Sequence, residues 1–376
     1  MQPLFPNPGG RIDPDELVGR ASELQRLHEA IVRGGAHVVG ERRMGKTSLL
    51  IKVADELTSA GRVVIRISAE TSEVTIFAQR LIGELRQHKL IRQRISRWEK
   101  EVRGEVSMAI FSSGIKLVGA AKQNPGQDEQ LDVVELLSTA GGSAGVVLII
   151  DEITVLCQAL GPAAAMEFLS GLRAVRQSES PLSLVISGSI GLHHALSDTR
   201  VINDLWSVKV GPLNDSESRE LTTRLLMGIN AEANPQLIDD IIAATSGIPF
   251  YIQAVVDRFR DRRGQRISDI VQQSIFDNDW HTEHYVSRLD DYYGESSARL
   301  ARAILDEFAH SYPEALDIEA LHLRLSVGTQ PAPTRDELLD IIGRLEKDHY
   351  LSRTGIRDTM SSALLARIWR IHRRLA

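Results

Sequence analysis

Eight residues, Gly40–Glu41–Arg42–Arg43–Met44–Gly45–Lys46–Thr47, restrict this chain more than any other stretch of it. They fill the pattern G-x-x-x-x-G-K-[ST]. Its glycines let the backbone curl so that successive N–H groups converge on one anion, and a helix starting near Lys46 aims its positive end at the same point. The flanks agree with that shape. Ala36–Val39 is a short apolar strand broken by Gly40, and the apolar Leu49, Leu50, Ile51 and Val53 follow the loop. Gly40, Arg42, Arg43, Met44, Gly45, Lys46, Thr47 and Ser48 are therefore the candidate phosphate-binding residues. Lys46 brings a mobile positive charge for β and γ phosphates, and Thr47 brings a hydroxyl for Mg²⁺.

Further strands are expected at Arg62–Ser68, Val146–Ile150, Leu182–Ser187 and Ser207–Val210, with helical segments between most of them; Glu16–Val32 reads as a helix with Leu24, Leu27 and Ile31 on one face. Continuous apolar strands alternating with helices indicate an α/β fold, a parallel sheet with helices on both faces. Val146–Ile150 runs directly into Asp151–Glu152. A buried strand ending in two carboxylates puts the first at the C-terminal edge of the sheet, beside the phosphate loop, where it can hold a metal-bound water. Asp151 is thus the second metal candidate with Thr47. Glu152 is the candidate general base that polarises an attacking water.

After Pro212 the pattern turns helical, with Asp215 or Ser216 as the expected N-cap of a Glu217–Met227 helix. From Ser297, three helices, a strand at His349–Arg353 and a last helix from Ser362 suggest a winged helix-turn-helix. The expected division is an irregular lead-in at 1–13, a nucleotide-binding core at 14–212, a helical lid and linker at 213–290 and a winged helix at 291–376.

Taken together, the phosphate loop and the acidic strand end resemble the P-loop ATPases of the AAA-like, additional-strand class. In detail they resemble the archaeal-type ATPase family of the STAND branch. Val18–Gly19–Arg20–Ala21–Ser22–Glu23–Leu24 is similar to that family's Gly-Arg-x-x-Glu-Leu box, which implies that Gly19 and Arg20 border the adenine. Ser246–Gly247–Ile248–Pro249 is similar to its Gly-x-Pro element, which implies Pro249 as a lid contact to nucleotide. Ser187, in Ser187–Gly188–Ser189, lies where the resemblance implies a polar sensor of the γ-phosphate, although many relatives carry asparagine there. Arg200 lies where a finger to a neighbouring subunit's nucleotide is implied. The expected cofactors are ATP and Mg²⁺, with Lys46, Glu152, Ser187 and Arg200 as the catalytic set. Bland readings stay open beside these. Gly19–Arg20 can simply open a helix, Gly247–Ile248–Pro249 can be a helix stop and restart, and Arg200 can be an ordinary surface arginine.

The function implied is slow ATP hydrolysis used as a conformational switch, with nucleotide-dependent homo-oligomerisation and a protein partner on the winged helix. The alternative is a winged-helix DNA- or protein-binding regulator in which nucleotide is structural. The helix expected at Arg335–Lys347 and the residue after it carry Asp336, Glu337, Asp340, Glu346 and Asp348 against Arg335, Arg344 and Lys347, which disfavours it as a reader of the major groove. Arg367, Arg370, Arg373 and Arg374 form a small C-terminal basic patch. Seven Lys/Arg residues crowd Arg86–Arg103 against two acidic ones, with Ile91, Ile95, Trp98 and Val102 at helical spacing. That stretch is either a phosphate-tracking helix or a solvated helix packed by its apolar stripe. Gly104–Gln127 reads as an insertion hairpin. Across 376 residues the net charge of −6 excludes a wholly basic surface, and the single cysteine, Cys157, excludes an internal disulfide. No membrane segment is expected, the leading Met1–Gln2–Pro3–Leu4 shows no secretory pattern, and the single cysteine suits a reducing cytoplasm.

Overall fold

A computed structural model describes the chain apart from residues 72, 112–113, 124–125, 134, 138–144, 178–181, 189–191, 197, 329–331 and 376. It consists of two compact units, Asp13–Val210 and the pair of segments Met1–Ile12 and Gly211–Ala376.

The first unit runs α1 (Ala21–Val32), β1 (Gly35–Val39), α2 (Lys46–Ser59), β2 (Val63–Ser68), α3 (Val74–Arg86), α4 (Lys89–Glu101), β3 (Val102–Phe111), β4 (Gly114–Ala121), β5 (Asp128–Asp132), β6 (Val146–Asp151), α5 (Ile153–Leu160), α6 (Pro162–Gln177), β7 (Leu182–Gly188) and β8 (Trp206–Lys209). Five of these strands form one sheet in the order β2-β6-β7-β1-β8, every neighbouring pair parallel. Parallel pairing requires crossover connections that carry helices over the sheet faces. Every residue of β6 and of β7 is accordingly buried. β7 lies between β1 and β6, so the phosphate loop after β1 and the carboxylates after β6 stand one strand apart at the same edge.

Two expectations change here. The helix expected from Glu16 instead begins at Ala21, because Gly19 (φ 71°) and Arg20 (φ 68°) both take left-handed backbone and interrupt it. The insertion is larger than a hairpin: β3, β4 and β5 form a three-stranded antiparallel sheet. The acidic sequence of β5, Asp128–Asp132, carries little strand propensity.

The second unit comprises α7 (Asp215–Gly228), α8 (Pro235–Thr245), α9 (Pro249–Asp261), α10 (Ile267–Phe276), α11 (His284–Tyr293), α12 (Glu295–Ser311), β9 (Leu316–Asp317), α13 (Ile318–Gly328), α14 (Arg335–Lys347), β10 (Leu351–Thr354), β11 (Arg357–Met360) and α15 (Ala363–Arg373). β10 and β11 form a hairpin whose second strand also pairs with β9. The cap of α7 is Asn214, not Asp215 or Ser216. Its side chain accepts from the Glu217 N–H at 2.9 Å while Glu217 accepts from the Asn214 N–H at 3.0 Å, a reciprocal capping box. The first twelve residues belong to this unit. Leu4 is buried and its N–H donates to the Arg224 carbonyl at 2.9 Å. Gly228 makes room for that strap, since a Cβ there would lie 1.9 Å from the Leu4 carbonyl oxygen.

Among the described residues no helix is long and apolar enough to cross a membrane. Cys157 is buried, and burial pushes its thiol up to about 12, which leaves it unreactive.

Candidate functional site

β1 gives way to the loop at Gly40, and the choice of glycine is steric. Val210 follows β8 and donates to the Val39 carbonyl at 2.8 Å, so a Cβ on residue 40 would lie 2.2 Å from the Val210 carbonyl oxygen. The loop then turns through two left-handed residues, Arg43 (φ 72°) and Gly45 (φ 86°), before α2 starts at Lys46. Left-handed backbone is unfavourable for arginine and persists where the surroundings fix it. One such restraint is visible. The side chain of Arg20, only 2 % exposed, donates to the Met44 carbonyl at 2.8 Å and to Glu23 at 2.9 Å. Arg20 thus both opens α1 and grips the phosphate loop, a link that no local pattern announces. Gly19 supplies the positive φ beside it.

Lys46 is 5 % exposed, and its ammonium donates to the carbonyls of Gly40 at 2.8 Å and Glu41 at 2.9 Å. Burial pushes this ammonium below its ordinary range, and the carboxylates of Glu152, Asp151 and Glu41 oppose that shift. A lysine in this position is a compact charge whose donors rest on loop carbonyls and can be redirected to an anion.

Asp151, the last residue of β6, is 3 % exposed. Its Oδ2 accepts from the Thr47 hydroxyl at 2.7 Å, which joins residues 104 apart in sequence. Its Oδ1 accepts from the Glu152 N–H at 3.1 Å and from the Ser187 hydroxyl. Ser187 is fully buried in β7, the strand between the two halves of the site. Its hydroxyl is directed at Asp151, and its neighbour Ser189 lies outside the described residues. Glu152 takes left-handed backbone (φ 55°) and caps α5, so the two carboxylates do not continue a strand alternation.

Thr47 and Arg42 are exposed, Ser48 and Arg43 are half-buried and Met44 is buried. Arg200 lies on a 3₁₀ turn, 82 % exposed, with its guanidinium on Asp198 at 2.7–2.8 Å. Pro249 is the first residue of α9 in the other unit, after left-handed Ser246 and Gly247. A Cβ on Gly247 would lie 2.7 Å from the Leu213 carbonyl oxygen, and the Gly247 carbonyl accepts from the Leu213 N–H at 2.9 Å. The helix stop and restart is therefore real, and it pins the start of α7.

Thr47 and Asp151 offer a hydroxyl and a carboxylate side by side, the oxygen donors that Mg²⁺ takes. The buried cation and the N-terminus of α2 complete a cradle for phosphate.

Residues 32–196 match the family model described as AAA domain. The unit that contains this AAA match has the fold of a P-loop NTPase. Two solved structures carry the likeness along nearly the whole chain. The Walker-type ATPase of Pyrococcus abyssi is 18 % identical, covers 95 % of this chain and 97 % of that chain, and superposes with a TM-score of 0.68. The ORC2 protein of Aeropyrum pernix, solved in ADPNP–ADP complexes, is 10 % identical, with 97 % and 95 % covered and a TM-score of 0.55. At these identities the likeness establishes the fold. No curated protein matches the sequence.

Proposed function

We propose that the chain is a Mg²⁺-dependent ATP-binding protein that hydrolyses ATP slowly and uses the bound state as a conformational switch. One observation carries this reading: the 2.7 Å hydrogen bond between Thr47 and Asp151, made beside a buried lysine on a left-handed loop. A hydroxyl and a carboxylate distant in sequence, brought with a buried ammonium to one sheet edge, are the donor set that a phosphate and its Mg²⁺ require.

Lys46 and the loop amides of residues 40–48 hold the β and γ phosphates, and Thr47 and Asp151 hold the metal. Mg²⁺, when bound, neutralises charge developing on the phosphoryl oxygens. Glu152 orients and polarises the attacking water. Ser187 acts through Asp151, fixing which carboxylate oxygen faces Thr47, and this positioning role replaces direct γ-phosphate sensing in our reading. Arg20 and Gly19 hold the loop and border the base.

In the second unit, residues 213–290 are assigned as the lid, with Pro249 in its Gly-x-Pro element, and residues 291–376 as a winged helix whose wing is the β10–β11 hairpin. The acidic face of α14 favours a protein partner there. Arg200 stands outside the single-subunit site and is assigned to a neighbouring copy in a nucleotide-dependent assembly. A chain operating in the cytoplasm is the setting that fits.

Glu152→Gln tests the reading. It should keep the rise in melting temperature with Mg²⁺–ATP while turnover falls by about two orders of magnitude or more. Turnover equal to that of the parent chain would remove hydrolysis from the account and leave nucleotide as a structural ligand.

A further inference from the structure

The helix α4 (Lys89–Glu101) has two faces with different employment. Ile91, Ile95 and Trp98 are buried at 0 %, 0 % and 4 % exposure and belong to the main apolar cluster of the sheet-bearing unit. Burying side chains of this size stabilises a helix several times more than an exposed ion pair does. The apolar stripe therefore holds the helix in place, and its cations are not needed for that purpose.

At 100° per residue, Lys89, Arg92, Gln93, Ser96, Arg97 and Lys100 occupy one arc of roughly 140° opposite the stripe, and all six are exposed. The arc holds four cations and no carboxylate. Glu99, beside it, is paired with Arg86, and Glu101 lies toward the other flank. Arg94, off the arc, is paired with Glu135. Among the described residues Lys89, Arg97 and Lys100 make no ion pair, the Arg92 side chain donates to the Arg86 carbonyl at 3.0 Å, and exposed Arg103 extends the row into β3. This row stands on a chain of net charge −6.

We propose that α4 is a docking face for the phosphate backbone of duplex DNA. From Lys89 to Lys100 the helix rises about 16 Å, close to five phosphates of one strand at about 3.4 Å of axial rise each. One cation per turn along that length tracks a uniformly charged line. A membrane surface does not fit, because a helix lying on lipid inserts its apolar face and here that face is inside the protein. Single strands are held by aromatic stacking, and Trp98, the one aromatic of α4, is buried. Backbone contact of this kind carries no base specificity.

The test is fluorescence anisotropy of the full chain with a labelled duplex of about 20–30 base pairs between roughly 50 and 200 mM salt. With four phosphates engaged, log K should fall against log salt with a slope near −3 to −4. The triple variant Lys89→Ser, Arg97→Ser, Lys100→Ser should weaken binding at the lowest salt by about 10- to 100-fold and make the slope shallower by roughly 2 to 3. All three sites are exposed, and an unchanged melting temperature verifies folding; Arg97→Lys should retain the parent slope. Four results would overturn the proposal: no duplex binding at the lowest salt, equal binding by the triple variant, loss of binding only on Arg370→Ser with Arg374→Ser, or tighter binding of a single strand, an RNA duplex or anionic phosphatidylserine vesicles than of duplex DNA.

Discussion

Lys46 and Arg288 are buried cations in different units, and they are held differently. Lys46 rests on two backbone carbonyls of a loop containing left-handed residues, with Asp151 and Glu152 contributing charge. Arg288, 6 % exposed, is fixed by the side chain of Tyr350 and the backbone of Asp348. Its Nε donates to the Tyr350 hydroxyl at 2.6 Å, another nitrogen donates to the Asp348 carbonyl at 3.2 Å, and the guanidinium stacks 4.3 Å over the Tyr350 ring. Tyr350 passes the chain on to the Tyr285 carbonyl at 2.6 Å, and Tyr293 donates to Asp348 at 2.6 Å. An arginine fork held by planar partners specifies one arrangement; a lysine on exchangeable carbonyls can give them up to a ligand. Burial of a charge is thus shared by structural and functional sites, and the partners tell them apart.

The difference can be broken by mutation. Arg288→Ala should cost the helical unit about 3–5 kcal/mol, because it removes the charge on which Tyr350 and Asp348 converge. Calorimetry should show its transition lowered while the nucleotide-induced stabilisation of the sheet-bearing unit persists. Loss of that stabilisation would merge the two cations into one functional system.

Acid should separate the regions next. His37, in β1 between Ile186 and Ser207, is pushed by burial down from 6.5 to about 4. The folded chain therefore holds this imidazole neutral while the unfolded chain protonates it below about 6.5. Stability is full above that pH and is lost as pH falls toward 4, by up to about 3 kcal/mol. The hydroxyl of Tyr293 is pushed upward, by burial first and then by Asp348, and stays neutral throughout. Urea midpoints between pH 7 and 4 should decline for the sheet-bearing unit, and His37→Gln should flatten that decline. An identical acid slope in the variant would remove His37 as its source.

The smallest effect is expected at Ser187. Ser187→Ala removes one donor to Asp151 and should cost about 1 kcal/mol without nucleotide. It should also raise the Mg²⁺ concentration needed for nucleotide binding. A change in stability alone would reduce Ser187 to packing.

The phosphate loop and the carboxylates after β6 were legible because both are contiguous stretches whose chemistry follows from residue type and spacing. Strand positions followed from apolar runs such as Val146–Ile150, and Arg335–Lys347 from its periodicity. What escaped depends on pairings that no local window contains. The strap of Met1–Ile12 is fixed by Leu4 against Arg224 and Gly228, more than two hundred residues away. Arg20 reaches Met44 only because two positive φ values end the preceding turn there. The second strand of the β10–β11 hairpin, Arg357–Met360, gains its place from pairing with β9 and β10 rather than from its own mostly polar sequence. Exposed cations on α4 were visible as composition, but which of them remain unpaired needed coordinates.

The central claim is that Lys46 exists to meet nucleotide. The melting temperature of the parent chain and of Lys46→Ala, each with and without Mg²⁺–ATP, tests it most directly. The parent should gain about 2.7 kcal/mol at a ligand concentration one hundred times Kd. Lys46→Ala should gain nothing, while its stability without nucleotide stays level or rises, since a buried charge has been removed. Equal gains in both chains would contradict the account.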